Sequence, residues 1–399
     1  MKIQVGLFFG GKSVEHEVSV ISAAQAAAAM DADQYDIIPV YISKDNEFYT
    51  GSELITPANY RDLPGLLARS QRVTLARDKG KVYLMRYPHK ILAKPVVARL
   101  DIALPVVHGT NAEDGSIQGL FRLYGLPYAG SDVGASACGM DKWVSKCLLQ
   151  SAGLPVLPGY CFSGDLFFTD PESLMAQLEA FHGYPLVIKP VNLGSSVGIS
   201  AVHDREELRE GVELAASFAE RILIEPMLVH MREINCSVLG DADETQASVC
   251  EEPLSTGEIL SYRDKYQSGG APKRVGKQSG GKGMGGALRK LPADLEKEQE
   301  DAIRSLACKA FAALNCSGVA RVDFLMDKDT NTVYVNEINT IPGSLSFYLW
   351  EATGKSFPQL MDELIRIALK RNRMQERLIW SNDANLLSGL PGGIKGRKS

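Results

Sequence analysis

Residues 185–200 read PLVIKPVNLGSSVGIS. The run 185–191 is apolar on both sides of one charge, Lys189, so it reads as a buried strand carrying a single ammonium group. A charge in that setting needs a partner, and a phosphate would supply one. The stretch that follows, 192–200, is a Gly/Ser loop. Its glycines let backbone N–H groups turn toward an anion, and its serines, Ser195 and Ser196 among them, add donors. The stretch 185–200 lacks GxxxxGK[ST], so this loop is not a P-loop. A Gly/Ser loop alone is a weak signal. A lysine strand leading into it is a stronger one.

Upstream, IQVGLFF (3–9) reads as a buried strand. After GGKS comes an Ala-rich helix from about Val18 to Met30, then a second strand, IIPVYIS (37–43). This order predicts a parallel, Rossmann-like sheet. IALPVVHG (102–109) is a further strand and runs into the polar loop NAEDGSIQG. Ligands of open parallel sheets gather at the carboxyl ends of strands, where both loops would lie. Residues 141–152 read as an amphipathic helix stopped by Gly153 and Pro155. Lys142 opens it, an unfavourable place for a cation against the helix dipole unless an anion is near.

Downstream, the strands ILIEPML (222–228), REINCSVLG (232–240), GVARVDFLMD (318–327) and TVYVNEINT (332–340) carry charges at defined positions, which predicts an antiparallel sheet with a polar working face. Glu337 and Asn339 are two apart and share a face, and Asp323 lies on a neighbouring strand. Three oxygen-bearing side chains so placed suit a hard cation, whose shell water and nucleotide phosphate would complete. The other reading is a solvated sheet face. Between 265 and 290 there are eight glycines, seven basic residues and no acidic one, which reads as a long loop about 260–290, either a lid or a solvated segment. Residues 376–399 read as a frayed tail.

Composition narrows the class. The chain has 399 residues, 45% apolar and 23% charged, which fits two or three globular domains and excludes collagen, a coiled coil and disorder. Net charge is −5, so nothing calls for nucleic acid or an anionic membrane. The apolar run at the start is short and broken by Gly10 and Gly11, and no stretch reaches a membrane span. The seven cysteines contain no CxxC and read as reduced thiols, and the histidines show no HExxH. A cytoplasmic protein is expected.

These pieces together resemble the ATP-grasp ligases and, within them, the D-alanine–D-alanine ligase family. The matching stretches include FFGGKSVEHEVS (8–19), HGTNAEDGSIQG (108–119), CGMDKWVSKCLLQSAGLP (138–155), VIKPVNLGSSVGIS (187–200), REINCSVLG (232–240), GVARVDF (318–324) and NEINTIPGS (336–344). They run in family order across about residues 3–370. The GSSVG and NEINTIPG stretches fit ATP-grasp enzymes generally, while EHEVS and HG..AEDG..QG point to the D-alanine ligase branch.

The resemblance implies an α/β, three-domain ATP-grasp fold. Residues 1–131 would form a Rossmann-like (pre-ATP-grasp) domain, 132–225 the central ATP-grasp subdomain and 226–375 the C-terminal one. It implies that ATP phosphorylates one D-alanine and that the amine of a second attacks the acyl phosphate, for peptidoglycan precursor synthesis. Such chemistry needs positioning and charge neutralisation rather than a covalent nucleophile. By resemblance, Lys142 and Lys189 contact ATP phosphates, with Ser196 and Lys265 also on the nucleotide. The strand from Glu225 through Pro226 to Leu228 reads adenine, and Glu233 binds ribose. Asp323, Glu337 and Asn339 hold two Mg²⁺, with Mn²⁺ as a substitute. Arg321 and the Gly343 N–H stabilise the acyl phosphate and the tetrahedral intermediate. Glu15 holds the first D-alanine's ammonium with His108 beside it, and Ser195 and Tyr266 link Glu15 to the lid. His108 as a strand-end hydrogen bonder, Glu233 as a surface charge and Tyr266 as loop packing are the alternatives.

The chain departs from the family near the second substrate. The lid motif lacks its first Tyr and its Asp, keeping Lys265 and Tyr266. After NEINTIPG the loop is about four residues shorter than the family's. That leaves Ser346, then Ser344, as candidates to bind the second substrate's carboxylate. Two rival readings stand: a related ATP-grasp ligase with another acceptor, and a nucleotide-binding protein without catalysis. Family members are dimers, so a homodimer is expected.

Overall fold

The computed structural model describes residues 2–89, 93–194, 197–254 and 289–379, and these form three β-sheets in chain order. The first contains β1 (Ile3–Gly10), β2 (Tyr35–Ile42), β3 (Phe48–Thr50), β4 (Gln71–Asp78), β5 (Lys81–Arg86), β6 (Val96–Leu100) and β7 (Ile102–Pro105), in the order β6-β5-β4-β3-β2-β1-β7. β1 lies between β2 and the edge strand β7 and is parallel to both. The side chains alternate, as a strand buried on both faces requires. Val5, Leu7 and Phe9 join the core under the helix His16–Ala29, and Phe8 joins the opposite core with Ile117 and Phe121.

The Rossmann-like expectation holds for β1, β2 and β7 but not for the whole sheet, which is mixed. From β2 to β6 every neighbour is antiparallel. Local turns cause the reversal. Asp78 pairs with Lys81 across Lys79 and Gly80, both with positive φ (48° and 78°), a two-residue hairpin turn matched to strand twist. β7 also ends earlier than expected, at Pro105. There the Val106 carbonyl accepts from the Ser19 hydroxyl at 2.6 Å and the chain leaves the ladder.

The second sheet, β8 (Tyr160–Ser163), β9 (Leu186–Pro190), β10 (Ser200–Val202) and β11 (Arg221–Pro226), is antiparallel in the order β10-β9-β11-β8. Its core is its own, filled by residues of 162–224 from the strands and the helices Pro171–Phe181 and Arg205–Ala216. Asp170 and Asp204 cap those helices through backbone N–H groups.

The third sheet has β12 (Met231–Gly240), β13 (Thr245–Pro253), β14 (Arg289–Lys290), β15 (Gly318–Asp327) and β16 (Val333–Asn339), antiparallel in the order β14-β13-β12-β15-β16. One face packs Cys236, Val238, Val322 and Phe324 on the helix Lys297–Ala313. The helix Lys142–Ser151 contributes Leu149 to that core. The last helix, Phe357–Gln375, starts in a capping box at Ser356 and Gln359. It reaches back across the molecule: Leu360, Met361, Leu364 and Ala368 complete the core of the first sheet, and Tyr35 donates to Asp362 at 2.9 Å. Among the described residues no helix is long and apolar enough to cross a membrane.

Candidate active site

The carboxyl ends of β1 and β7 face the open side of the third sheet, and Glu15, His108, Arg321, Asn339 and Gly343 of the expected residues meet there. The Ser13 hydroxyl donates to the His108 carbonyl at 2.7 Å, tying the loop after β1 to the loop after β7. Glu15 follows. A Cβ added to Gly109 would stand 3.2 Å from Glu15 Oε2, and one on Gly194 would stand 3.7 Å from it, so two glycines leave room around this carboxylate. A cavity of about 50 Å³ is lined by Glu15, His108, Glu113, Gly194, Arg321, Asn339 and Gly343. A second, of about 20 Å³, shares Glu113, Gly194 and Asn339 and adds Lys142 and Glu337.

The sheet register builds the charged wall. Arg321 lies opposite Asn339 and Asp323 opposite Glu337. The Arg321 guanidinium donates from Nε and Nη2 to the two Asp323 oxygens, each at 2.7 Å, and Asn339 Nδ2 donates to Asp323 Oδ2 at 3.0 Å. Burial opposes the Arg321 charge, but the Asp323 carboxylate, with Tyr348 and Glu251 near, holds its pKa well above the ordinary value. Arg321 is therefore a fixed cation at the cavity wall.

A bulge sets the next row. After Asp323–Glu337 the register slips to Phe324–Val335, leaving Asn336 as the extra residue. Val335 and Ile338 both enter the core although three apart, and Asn336 and Glu337 both stay on the working face. Asn336 Oδ1 accepts from Lys189 Nζ at 3.2 Å, and Glu337 lies 3.5 Å from Lys142 Nζ. Lys142 also donates to the Leu193 carbonyl at 2.6 Å, and Asp141 caps its helix through Val144 N–H. The anion expected near the Lys142 helix start is thus Glu337. The partner expected for Lys189 is already in the protein: Glu225 Oε2, at 2.5 Å.

His108 is buried. Its Nδ1–H donates to the Ile341 carbonyl at 2.8 Å, so Nε2 accepts from the Ser22 hydroxyl at 3.1 Å, and Ser22 Oγ in turn accepts from Ser344 N–H at 3.0 Å. Burial pushes the His108 pKa down, which suits this neutral tautomer. The ring thus makes these hydrogen bonds beyond the end of β7 and also lines the cavity. Gly343 opens a tight turn in which Ser344, Leu345 and Ser346 all have φ near +50° (51°, 52° and 51°). Ser344 Oγ donates to Gln25 Oε1 at 2.8 Å, and the fully buried Ser346 hydroxyl has no hydrogen-bond partner among the described residues.

Other expected residues are placed less centrally. Pro226 ends β11, and Leu228 lies beyond it rather than in the strand. The partner strand β9 starts at Leu186, which pairs with Pro226, and one further bond, from Met227 N–H to the Pro185 carbonyl at 3.0 Å, closes the pairing before Leu228. Glu233 is half-buried on β12 opposite Leu325. Ser195, Ser196, Lys265 and Tyr266 lie outside the described residues, as do the segment 255–288 and the tail from 380.

Sequence reading missed three neighbours. Glu113 accepts from Gly109 N–H at 2.9 Å and Ile341 N–H at 3.3 Å. Burial, then the Glu15 charge, push its carboxyl up to about 8. Lys146 meets Glu225 beside Lys189. Glu251 takes the Tyr348 hydroxyl at 2.7 Å and Asn235 at 3.2 Å, next to Arg321. Glu113 and Lys146 both lie in stretches that carried the resemblance, and a buried position for an acid or a lysine was the signal available.

Comparison with known proteins follows this geometry. Residues 4–131 match a family profile described as D-ala D-ala ligase N-terminus, and residues 148–366 match one described as D-ala D-ala ligase C-terminus. The chain belongs to the D-alanine–D-alanine ligase family. It is 38% identical to the D-alanine–D-alanine ligase of Acetivibrio thermocellus, over 93% of this chain and 96% of that one. It is 35% identical to that of Thermosipho melanesiensis, over 96% and 98%. Among solved structures it is similar to the D-alanine–D-alanine ligase of Coxiella burnetii (TM-score 0.73, 30% identity, 94% and 96% covered) and to the VanG D-Ala:D-Ser ligase of Enterococcus faecalis (TM-score 0.75, 28% identity, 92% and 100% covered). As a D-alanine–D-alanine ligase of the ATP-grasp class, the protein joins two D-alanines into D-alanyl-D-alanine at the expense of ATP, for cell-wall synthesis. The family uses ATP and divalent metal ions.

Proposed function

We propose that the cavity between Glu15 and Arg321 holds the reacting D-alanine carboxylate, with the nucleotide phosphates toward Lys142 and Lys189. One observation carries this: Glu15, an anion suited to an ammonium, and Arg321, a cation suited to a carboxylate, line the same small cavity beside Asn339 and Gly343. Glu15 orients the first D-alanine by its ammonium, with His108 on the pocket wall. Arg321 and the Gly343 N–H face the oxygen on which negative charge grows as the second amine adds. Lys142 and Lys189 bind phosphate oxygens and Ser196 and Lys265 add contacts, while Glu225, Pro226 and Leu228 offer backbone to the adenine and Glu233 a carboxylate to the ribose. Ser195 and Tyr266, outside the described residues, would link to Glu15.

The donor set fits two Mg²⁺ ions. No cluster of three or more His, Cys, Asp or Glu with metal-site geometry occurs among the described residues, but Asp323, Glu337 and Asn339 present hard oxygen donors on paired strands. Bound there, the metal would neutralise phosphate charge. Asp323 now shares both oxygens with Arg321 and Asn339, so cation binding would draw on the same carboxylate that fixes the guanidinium. The proposed division is 1–131, 132–225 and 226–375, its second boundary falling one residue before β11 ends at Pro226, and a homodimer in the cytoplasm accords with the family.

The second substrate is D-alanine in this reading. The short left-handed turn at 343–346 and the likeness to a D-Ala:D-Ser ligase make the acceptor the point to test. Mg²⁺- and ATP-dependent ADP release is measured with D-alanine, L-alanine, D-serine and D-lactate, and products are identified by mass. D-Alanyl-D-alanine from D-alanine alone is expected. Turnover only with a mixed pair would reassign the acceptor pocket.

A further inference from the structure

Lys146 has no part in the roles above, yet its surroundings are built for it. It lies one turn after Lys142 on the helix Lys142–Ser151 and is only 6% exposed. Its ammonium pairs with Glu225 Oε1 and donates to the Leu157 carbonyl at 2.7 Å. Its stem passes over Gly159, where an added Cβ would stand 3.2 Å from Lys146 Cδ and 3.4 Å from Cε. The other oxygen of the same carboxylate holds Lys189. Glu225 is itself buried, and although burial opposes its charge, Lys189 and Lys146 keep its carboxyl below the ordinary value.

Two ammonium groups on one buried carboxylate is one more than its charge requires. With Lys189 alone the pair would be closed and neutral. Moving Lys189 to a phosphate would then leave a buried carboxylate without a counter-ion, a strongly unfavourable state. With Lys146 in place, Glu225 keeps a counter-ion whether Lys189 stays or leaves. Lys189 already spans from Glu225 to Asn336, the bulge residue beside Glu337. We propose that Lys146 is a positioning residue: it holds the charge of Glu225 so that Lys189 is free to move onto the nucleotide phosphates. This rests on the assignment of Lys189 to those phosphates.

The test measures Kd for Mg·ATP by calorimetry and for adenosine by competition, in the full-length enzyme and in K189M, K146M and K146R. K189M is expected to weaken ATP at least about tenfold and leave adenosine unchanged. K146M is expected to do the same although Lys189 is present, and K146R, which keeps a cation on Glu225, to stay within about threefold of the wild type. A folded K146M that binds ATP as the wild type does overturns the proposal, and so does one that loses adenosine as much as ATP, because that is what a merely structural lysine would give. Unchanged ATP affinity in K189M overturns the phosphate assignment itself, and the proposal with it. Should K146M not fold, K146Q takes its place: weakened ATP with unchanged adenosine is expected, and wild-type ATP binding overturns the proposal.

Discussion

At the scale of single residues, the site is governed by what burial does to charge. Glu113 shows the effect most directly. Its carboxyl, up at about 8, stays protonated in the folded protein over a range where the unfolded chain, near 4.5, has already ionised. Between those values the unfolded state releases a proton that the folded state keeps, so stability falls as pH rises, by about 1 kcal/mol per pH unit. His108 acts in the opposite direction. Held neutral by burial, it lowers stability as pH falls below 6.5, where the unfolded imidazole takes a proton. Glu113→Gln is expected to flatten the decline between pH 5 and 8 in denaturant unfolding, while costing about 1 kcal/mol throughout because the amide nitrogen cannot accept one of the two N–H bonds. An unchanged slope would refute the protonated state. Side-chain chemistry of this kind was legible where a charge interrupted an apolar strand, as at Lys189, Arg321 and Asp323. It was not legible at Glu113 and Lys146, whose partners are distant in sequence: Ile341 for one and Glu225 for the other.

At the scale of elements, period decided what could be read. β1 shows as a continuous apolar run and β15 as an alternation, and the face shared by Glu337 and Asn339 on β16 follows from the same two-residue period. The bulge at Asn336 hides inside the same alternation, because an extra residue shows only when the partner strand is in view. The strands β3 to β6 lack a motif and depend on turn geometry, so residues 44–101 stayed unread. The turn at 343–346 is the least expected element. Three successive non-glycine residues in the left-handed region cost about 1 kcal/mol each, and the core contact of Leu345 with the bonds of Ser344 to Ser22 and Gln25 hold them there. Ser346→Gly removes one such cost and a buried hydroxyl without a partner, so stability is expected to rise by about 1 kcal/mol in thermal or denaturant melting. KM for the second D-alanine is expected to rise several-fold in the same variant; an unchanged KM would take Ser346 out of the acceptor pocket.

At the scale of the whole molecule, the apolar cores do not all follow the order of the chain. The second sheet and its two helices fill their core from residues 162–224 alone. The first sheet instead depends on Leu360, Met361 and Leu364, which come more than 250 positions after β7. Native-state hydrogen exchange is expected to show peptides of 160–226 opening as one unit, while β1, β2 and the helix Phe357–Gln375 exchange together. Separate protection of β1 and that helix would contradict a shared core. The helix Phe357–Gln375 also orders events during synthesis. The ribosome makes β1 roughly 350 residues before this helix, a delay of about twenty seconds to a minute at ordinary elongation rates. Through that interval the nascent sheet exposes the apolar face that the helix will cover, so the growing chain passes through a sticky, half-closed stage that lasts until the helix emerges.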